Sequence, residues 1–469
     1  MSTSLKKNIS YNIIYQILSM ILPFVTAPYL ARIIGKEGIG TYSYLYSIVH
    51  YFILFSGLGL ANYGNRSIAQ VRDNKFHLNR VFSEIYFLQL FISCIVIITY
   101  LIFIYKYSGK YQYILLIQVL YLCSSFFDVS WFFYGIEQFK IMVVRNSITK
   151  LMTTIAIFLV VKSIEDLWKY ALIMSLGIFF SQFFLWINLR KFVKIEKSNI
   201  KNIFKHLKPN LVLFIPVIAV SLYRIMDKIM LGNFSNMIQT GLYENTDKLV
   251  TFPLTIITAI GTVMLPKMSN LYINNQHKQA AIYIRNSMQI VLGLACGMSF
   301  GLRAISEKFI PFFYGEEFND AIILVKMLSP IVIFSSIGNV IRTQYLIPKG
   351  KDKIYIFSVI VGAILNLIVN YIFIPKLGAK GAVFGTLIAE FSVMFIQWIS
   401  SLKELGIKNY ISDFAIFNIS GFAMLNILKS INNLFFKVVV GGCIYFIFSI
   451  ILIYVFQRKR FKELLSLIK

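Results

Sequence analysis

The chain has 469 residues, of which 58% are hydrophobic and only 14% are charged, and its formal net charge is +26. Soluble domains carry about a quarter charged residues, so this composition excludes a water-soluble globular protein. The basic excess does not indicate nucleic-acid binding. The Lys and Arg residues lie between apolar runs, which is where the cytoplasmic loops of membrane proteins collect them.

Apolar runs follow one another along the whole chain, and each has the roughly 20 residues that a helix needs to cross a bilayer. We predict an all-α polytopic membrane protein with fourteen spans, and a count of twelve, without the last pair, stays open. The predicted span cores are 9–34, 41–63, 81–105, 111–134, 142–161, 168–189, 209–231, 242–264, 283–302, 321–347, 354–374, 381–402, 409–428 and 434–456.

The basic residues predict the orientation of these spans. The segments that would be cytoplasmic hold 26 Lys and Arg residues, far more than the segments that would lie outside. The richest of them, 190–208, separates spans 6 and 7. This bias favours a cytoplasmic location for both termini.

Weak internal similarity divides the core into two halves of six spans. The segment 39–43 opens span 2 much as 240–244 opens span 8, and His77 precedes span 3 as His277 precedes span 9. Transporters built from such repeats place substrate between the halves. We predict two six-helix lobes, around a central cavity, followed by an additional helix pair with a basic tail. The predicted ranges are 1–200, 201–404 and 405–469.

Charged residues inside the predicted spans are the main functional signal. Each costs about 2.5 kcal/mol or more in hydrocarbon, so it marks a candidate functional site. Span 7 carries Arg224, Asp227 and Lys228, and span 8 carries Glu244, Asp247 and Lys248. This hairpin is interpreted either as a structural lattice of ion pairs or as a polar wall of a substrate cavity.

Three further features of the sequence each allow two interpretations. Arg145 and Lys150 lie in span 5, as interfacial anchors or as part of a cationic vestibule. His50, in span 2, is a structural hydrogen-bond partner or a proton-coupling group. The tyrosines of span 2 form an aromatic belt at the outer interface or a surface for sugar stacking. They are Tyr42, Tyr44, Tyr46 and Tyr51.

The remaining motifs argue against catalysis. No predicted loop is long enough for a soluble catalytic domain, and no phosphate-binding loop of the GxxxxGK[ST] type occurs. The four cysteines, Cys94, Cys123, Cys296 and Cys443, are scattered and form no metal-binding pattern. We therefore predict a protein that is not an enzyme and uses no cofactor or metal.

Several segments resemble Wzx-type flippases, the O-antigen and capsule repeat-unit exporters of the polysaccharide-transport branch of the multidrug/oligosaccharidyl-lipid/polysaccharide superfamily. The match runs from span 1 through span 12. It rests on 27–42 (APYLARIIGKEGIGTY), 130–135 (SWFFYG), 227–232 (DKIMLG) and 378–382 (GAKGA).

The resemblance implies alternating access and transport of a polyprenyl-diphosphate-linked oligosaccharide across the bacterial cytoplasmic membrane, for export of surface polysaccharide such as O-antigen, capsule or exopolysaccharide. Its partners would be this substrate, membrane lipids, and the polysaccharide polymerase and chain-length machinery. Cationic candidates for the substrate site are Arg32, Arg145, Lys150, Arg224, Lys228 and Lys248. Candidates for ion coupling or ion pairing are Asp227, Asp247 and His50.

Two alternative functions stay open at this point. A cation-coupled multidrug exporter of the same superfamily would prefer an acidic cavity, which the excess of basic residues in the spans disfavours. A membrane-embedded polysaccharide polymerase or ligase would carry a large outside loop with catalytic residues, and the predicted outside loops are short.

Overall fold

The computed structural model describes residues 3–107, 109–405 and 408–457, with side chains from residue 18 onward apart from those of 403, 408 and 409. Within these ranges the regular structure is entirely helical. The all-α class predicted from the sequence is therefore confirmed.

The helices agree closely with the predicted spans. In the described residues, thirteen helical segments are long and apolar enough to cross a membrane, and the first helix adds a shorter apolar stretch, Leu18–Ile33. Together they match all fourteen predicted cores. One correction concerns span 7, because the continuous helix expected over 209–231 ends at Arg224.

The chain divides into two compact units, Met1–Asn233 and Phe234–Lys469. Helices of the first unit are α1 (Thr3–Ile33), α2 (Gly35–Gly57), α3 (Leu60–Val71), α4 (Lys75–Lys106), α5 (Gln112–Ser125), α6 (Ser130–Gly135), α7 (Phe139–Val160), α8 (Leu167–Leu189), α9 (Ile200–Phe204), α10 (Leu207–Arg224) and α11 (Met226–Phe234). The predicted division at 200/201 follows the sequence repeat and stays a prediction.

The second unit begins at the last residue of α11. Its further helices are α12 (Met237–Ile273), α13 (His277–Tyr314), α14 (Ala321–Leu328), α15 (Ile331–Ile341), α16 (Asp352–Leu377), α17 (Ala379–Leu405), α18 (Lys408–Leu428) and α19 (Leu434–Phe456). A π-helical turn, Arg342–Leu346, continues α15.

Side-chain caps explain where several helices begin. The Asn74 side chain accepts hydrogen bonds from the amides of Phe76 and His77 at the start of α4, and Asn236 and Asn433 cap α12 and α19 in the same way. These bonds satisfy amides that have no partner within the helix. Gly378 separates α16 from α17 with φ of 55°, a left-handed conformation that glycine adopts without strain.

The core of the first unit is aromatic. Phe82 and Tyr86 of α4 stack with a centroid distance of 5.8 Å, and Trp131 of α6 stacks on Phe82 at 5.4 Å. The indole N–H of Trp131 donates to Gln89 Oε1 over 2.9 Å, which satisfies its one polar group. Gly64 of α3 faces this ring so closely that a Cβ there would lie 2.7 Å from it.

The last helix pair packs on α13 in the second unit. The Tyr445 hydroxyl of α19 donates to the Gly293 carbonyl over 2.7 Å, and Phe417 of α18 contacts the same glycine. Small residues on α13 let both helices approach closely, which is how helices associate in membranes.

One charged cluster ties the end of α17 to the segment before α16. Lys351 Nζ lies 2.9 Å from Glu404 Oε1 and donates to the Tyr345 hydroxyl over 2.7 Å, and Lys349 also contacts Glu404. The hydrogen bonds from Lys349 and Lys351 lower the pKa of Glu404 to about 2, because they stabilise its ionised form.

Candidate functional site

The predicted charged cluster of span 7 lies at a break between two helices. α10 ends at Arg224, and α11 begins at Met226. Between them, Ile225 has a non-helical backbone, with φ of −121°, although its amide still donates to the Ser221 carbonyl over 2.9 Å. Asp227 therefore occupies the first turn of α11, where the helix dipole favours a negative charge. The break therefore separates Arg224, the last residue of α10, from Asp227 and Lys228 in α11.

The three charged side chains differ in burial. Asp227 is 1% exposed, Lys228 is half-buried and Arg224 is exposed. The Arg224 guanidinium lies 5.9 Å from the ring centroid of Tyr223. The carboxylate is thus inside the fold, while the guanidinium reaches its surface.

Tyrosines of α2 hold the α10–α11 segment. The Tyr51 hydroxyl donates to the Ser221 carbonyl over 3.1 Å, and the Tyr44 hydroxyl donates to Asn233 Oδ1 over 2.7 Å. Gly232 allows this contact, because a Cβ there would lie 2.1 Å from Tyr44 Cδ2. Two of the four span-2 tyrosines therefore position the charged segment.

The other two tyrosines join an internal aromatic cluster. Tyr42 and Tyr46 stack at 5.8 Å, the Tyr42 and Tyr121 hydroxyls lie 2.9 Å apart, and Tyr170 packs 4.5 Å from Tyr42. His50 adjoins this cluster, with its ring 5.7 Å from that of Tyr46.

The charges of span 8 form a second cluster on α12. Lys248 Nζ lies 2.9 Å from Glu244 Oε1, one helical turn earlier. Glu244 is 8% exposed, Lys248 is exposed and Asp247 is half-buried. The interpretation that this cluster pairs with the charges of span 7 stays a prediction.

The remaining cationic candidates lie elsewhere in the first unit. Arg32 is exposed in the last turn of α1, and Lys150 is half-buried on α7. Arg145 is buried, and its Nη1 donates to Gln182 Oε1 on α8 over 2.9 Å. The contacts of Arg145 join α6, α7 and α8, away from the α10–α11 break.

A family profile for polysaccharide biosynthesis proteins matches residues 5–272, more than half of the chain. The chain belongs to the polysaccharide biosynthesis protein family.

Relatives of this family member cover nearly its whole length. A Shigella dysenteriae protein named for O-antigen transport is 25% identical over 398 residues, 84% of this chain and 99% of that protein. The solved structure of lipid II flippase MurJ, in an inward closed conformation, covers 96% of this chain and 99% of its own with a TM-score of 0.76 and 18% identity. An inward-facing multidrug MATE transporter covers 89% of this chain and 96% of its own, with a TM-score of 0.60 and 11% identity.

These comparisons confirm the predicted resemblance to Wzx-type flippases. They also show that the helical fold is similar to that of MurJ. The relatives are named as transporters and flippases, which agrees with the prediction that this protein is not an enzyme. Its apolar helices and its relatives from Shigella and Escherichia coli support a multi-pass protein of the bacterial inner membrane. The location of the termini stays a prediction.

One buried polar cluster in this family member was not foreseen. Glu84 is fully buried, and its Oε2 lies 2.8 Å from Lys205 Nζ and 3.0 Å from His206 Nε2. The Tyr63 hydroxyl completes the cluster at 2.5 Å from His206 Nδ1, and Arg80 Nε donates to Glu84 Oε1 over 3.0 Å. The cluster fastens the basic 190–208 segment to α3 and α4.

The same segment is anchored a second time. The Glu196 amide donates to Ser83 Oγ over 2.8 Å, and the Lys194 amide donates to Asn79 Oδ1 over 3.0 Å. The sequence offered one signal, namely Glu84 inside a span, but its partners Lys205 and His206 lie more than a hundred residues away. The segment 190–208 is therefore held to α4 by specific hydrogen bonds as well as being rich in basic residues.

Proposed function

We propose that this protein is a flippase for a polyprenyl-diphosphate-linked oligosaccharide, the repeat unit of a surface polysaccharide. The observation that carries the proposal is the relative named for O-antigen transport, which aligns over 99% of its own length. The similarity to the MurJ fold supports the same class of substrate, since that protein is named as a lipid II flippase. The polyprenyl tail stays in lipid while the diphosphate and sugars cross through the protein.

The charge of the substrate determines which side chains suit it. A diphosphate requires fixed positive charge, from Arg through paired hydrogen bonds or from Lys as a point charge. Arg224 and Lys248 are exposed, which suits groups that reach a substrate, and Lys228 and Lys150 are half-buried. With the exposed Arg32 and the buried Arg145, these six cations are the proposed contacts.

Asp227 has a different proposed role. A buried carboxylate is a poor contact for an anionic head group, because the two charges repel. In the first turn of α11, Asp227 instead orients Arg224 or Lys228, or carries the coupling ion. Asp247 and His50 are the other proposed coupling groups.

Transport by alternating access is proposed for the two lobes. Pro216 lies inside α10, and the helical backbone is interrupted again at Ile225. Proline removes a backbone hydrogen bond and loosens a helix, so this segment is suited to bend during transport.

The predicted ranges 1–200, 201–404 and 405–469 are the proposed functional division. The polymerase and chain-length machinery are the proposed downstream partners.

The two alternative functions, a multidrug exporter and a polymerase or ligase, are less well supported than a flippase. The multidrug exporter has one favourable observation, the fold shared with a MATE transporter, but identity there is only 11%. Its preferred cationic drugs would be repelled by the exposed Arg32, Arg224 and Lys248. The polymerase or ligase lacks a favourable observation.

Deletion of the encoding gene tests the proposal. We expect the lipid-linked oligosaccharide to accumulate on the cytoplasmic leaflet and surface polysaccharide to be lost, with both effects reversed by the wild-type gene. Extraction of polyprenyl-diphosphate lipids, followed by mass spectrometry, identifies the accumulated unit and its sugars. Normal exposure of that lipid on the outer leaflet of the deletion strain would contradict a flippase, and increased drug sensitivity alone would favour the exporter.

A further inference from the structure

His206 is a buried histidine that the transport mechanism proposed above does not use. It lies directly before α10, and its two ring nitrogens have different partners. Nε2 lies 3.0 Å from Glu84 Oε2 of α4, and Nδ1 lies 2.5 Å from the Tyr63 hydroxyl of α3. The ring therefore connects three helices at the end of the 190–208 segment, and a change in its protonation acts on all of these contacts at once.

The charge of Glu84 determines which ring nitrogen carries a proton. Arg80 Nε lies 3.0 Å from Glu84 Oε1 and Lys205 Nζ lies 2.8 Å from Oε2, and two cations at these distances stabilise an ionised carboxylate. An ionised carboxylate only accepts hydrogen bonds, so Nε2 of His206 is the donor. The neutral ring has one N–H, so Nδ1 accepts the hydroxyl proton of Tyr63. Nδ1 is thus the nitrogen to which a second proton adds.

Two groups of different accessibility share one oxygen of Glu84. Lys205 Nζ and His206 Nε2 both contact Oε2, but the Lys205 side chain is 51% exposed and that of His206 is only 7% exposed. A proton added to the ring places a third positive charge around one carboxylate, together with Arg80, and like charges at such distances repel. The exposed ammonium can turn into water, whereas the buried imidazolium cannot, so the ammonium is the group that leaves.

The other charged groups near this ring lie at the surface. The elements packed around the ring are α3, α4, α9 and the start of α10. At this end they carry further charged side chains that are exposed, namely Arg66, Lys75, His77, Lys201 and Lys208. In the described part of the chain, none of these side chains contacts the ring. The groups that act on the ring are therefore those of the cluster itself.

Release of Lys205 loosens α9, which ends directly before it. α9 is held against α4 by the Lys205 ion pair and by Phe204, whose ring lies 5.4 Å from that of Phe91. Loss of the ion pair removes the polar part of this attachment. The amide hydrogen bonds of Lys194 and Glu196 to α4 are unaffected, so the change is confined to α9 and the start of α10.

We propose that His206 is a proton-binding site that controls how firmly α9 is fastened to α4. A proton from solvent adds to Nδ1, the Tyr63 hydroxyl turns from donor to acceptor, and the Lys205 ammonium leaves Glu84 Oε2 for water. One proton is bound, no other group changes its charge, and loss of the proton reverses each step. Because the 190–208 segment is predicted to be cytoplasmic, the site senses cytoplasmic pH.

A spin label on α9 tests the proposal in the full-length protein in detergent. The label is attached to the exposed position Lys201→Cys after the four native cysteines have been replaced by serine. Its mobility is measured from about pH 8 to about pH 5, the range in which histidine titrates. We expect the mobile fraction to rise about twofold or more at the acidic end, as the loss of one partly exposed ion pair implies. His206→Gln should abolish this rise, because glutamine can donate to Glu84 and accept from Tyr63 but takes up no proton.

Two further variants complete the comparison. Lys205→Gln should leave the label mobile throughout the pH range, because the ion pair that fastens α9 is then absent at every pH. His77→Gln is the matched control, since His77 is an exposed histidine of α4 in the same unit, and it should keep the wild-type response. Thermal unfolding shows whether each variant is folded. If His206→Gln does not fold, Lys205→Gln decides.

Any of four results would overturn the proposal. They are a label whose mobility in the wild type does not rise as the pH falls, a wild-type response in His206→Gln, a label in Lys205→Gln that is as immobile as in the wild type at high pH, and loss of the response in His77→Gln. None of these measurements uses a substrate. This proposal and the flippase function can therefore fail separately.

Discussion

At the residue scale, Asp227 is the most informative position. A carboxylate that is 1% exposed carries a large desolvation cost unless nearby groups stabilise its charge. The first turn of α11 contributes amides and a favourable dipole, worth up to about 2 kcal/mol in a partly buried setting. Arg224 and Lys228 add positive charge within four residues. Burying a carboxyl group inside a membrane protein indicates a role beyond packing.

We predict that Asp227→Asn lowers transport by about tenfold or more, since losing a partner of an essential cation costs at least about 1.4 kcal/mol. Asparagine keeps the size and the hydrogen-bond acceptor but removes the charge. Transport is measured as restoration of surface polysaccharide, or of outer-leaflet lipid-linked oligosaccharide, in the deletion strain.

Asp73→Asn is the matched control, because Asp73 is an exposed carboxylate of the same unit. It should support wild-type transport. Both variants are compared at equal membrane levels, so a loss of activity is separated from a loss of protein. An Asp227→Asn protein that transports at the wild-type rate would remove this carboxylate from the mechanism.

The sequence alone could not predict which residues contact one another in these buried clusters. The sequence placed Asp227, Lys228 and Arg224 in one segment, because charges in an apolar run are conspicuous. It could not pair Glu84 with His206, since these residues are 122 positions apart and no periodicity connects them. The internal contacts of Tyr42 and Tyr46 were equally hidden, because a tyrosine in a span suits an interface, a ligand or a core.

At the scale of helices, hydropathy predicted the spans well because the lipid solvent imposes both length and composition on every crossing helix. The break between α10 and α11 was missed for a physical reason. Ile225 is an ordinary helix residue, and the signals that usually end a helix, glycine or proline, do not lie there. The residues on either side of the break bond to Tyr51 and Tyr44 of α2, and a local pattern does not contain such tertiary contacts.

The packing of α11 on α2 gives a second prediction. We expect Gly232→Ala to lower the thermal unfolding midpoint and to reduce transport, because its Cβ would lie 2.1 Å from Tyr44 Cδ2. Overpacking of this kind costs roughly 1–3 kcal/mol. Displacing Tyr44 also weakens its hydrogen bond to Asn233. Unfolding in detergent and transport in the deletion strain are the two measurements.

Gly57 supplies the control, since a Cβ at this glycine of α2 would meet no atom within 4 Å. Gly57→Ala should leave both measurements near wild type. Adding Tyr44→Ala to Gly232→Ala should recover part of the lost stability, because it removes the clashing ring. Equal behaviour of Gly232→Ala and Gly57→Ala would show that the close approach of α11 and α2 is unimportant.

At the scale of the whole molecule, charge and hydropathy together predict a topology. Fourteen spans with a cytoplasmic N-terminus place the basic 190–208 segment inside and the segment 429–433 outside. A twelve-span protein would instead keep everything after 405 on the cytoplasmic side. The helices α18 and α19 are both long and apolar enough to cross a membrane, which favours fourteen.

Labelling of single cysteines in intact cells distinguishes these topologies. In a background where Cys94, Cys123, Cys296 and Cys443 are replaced by Ser, we expect a membrane-impermeant maleimide to label Asn432→Cys. The exposed Glu316→Cys should also be labelled, and it serves as the outside control for both counts. The exposed Lys197→Cys should react only after permeabilisation, since basic loops remain cytoplasmic.

Protection of Asn432→Cys while Glu316→Cys is labelled would mean twelve spans, because α18 and α19 would then not cross the membrane. Labelling of Lys197→Cys in intact cells would reverse the predicted orientation.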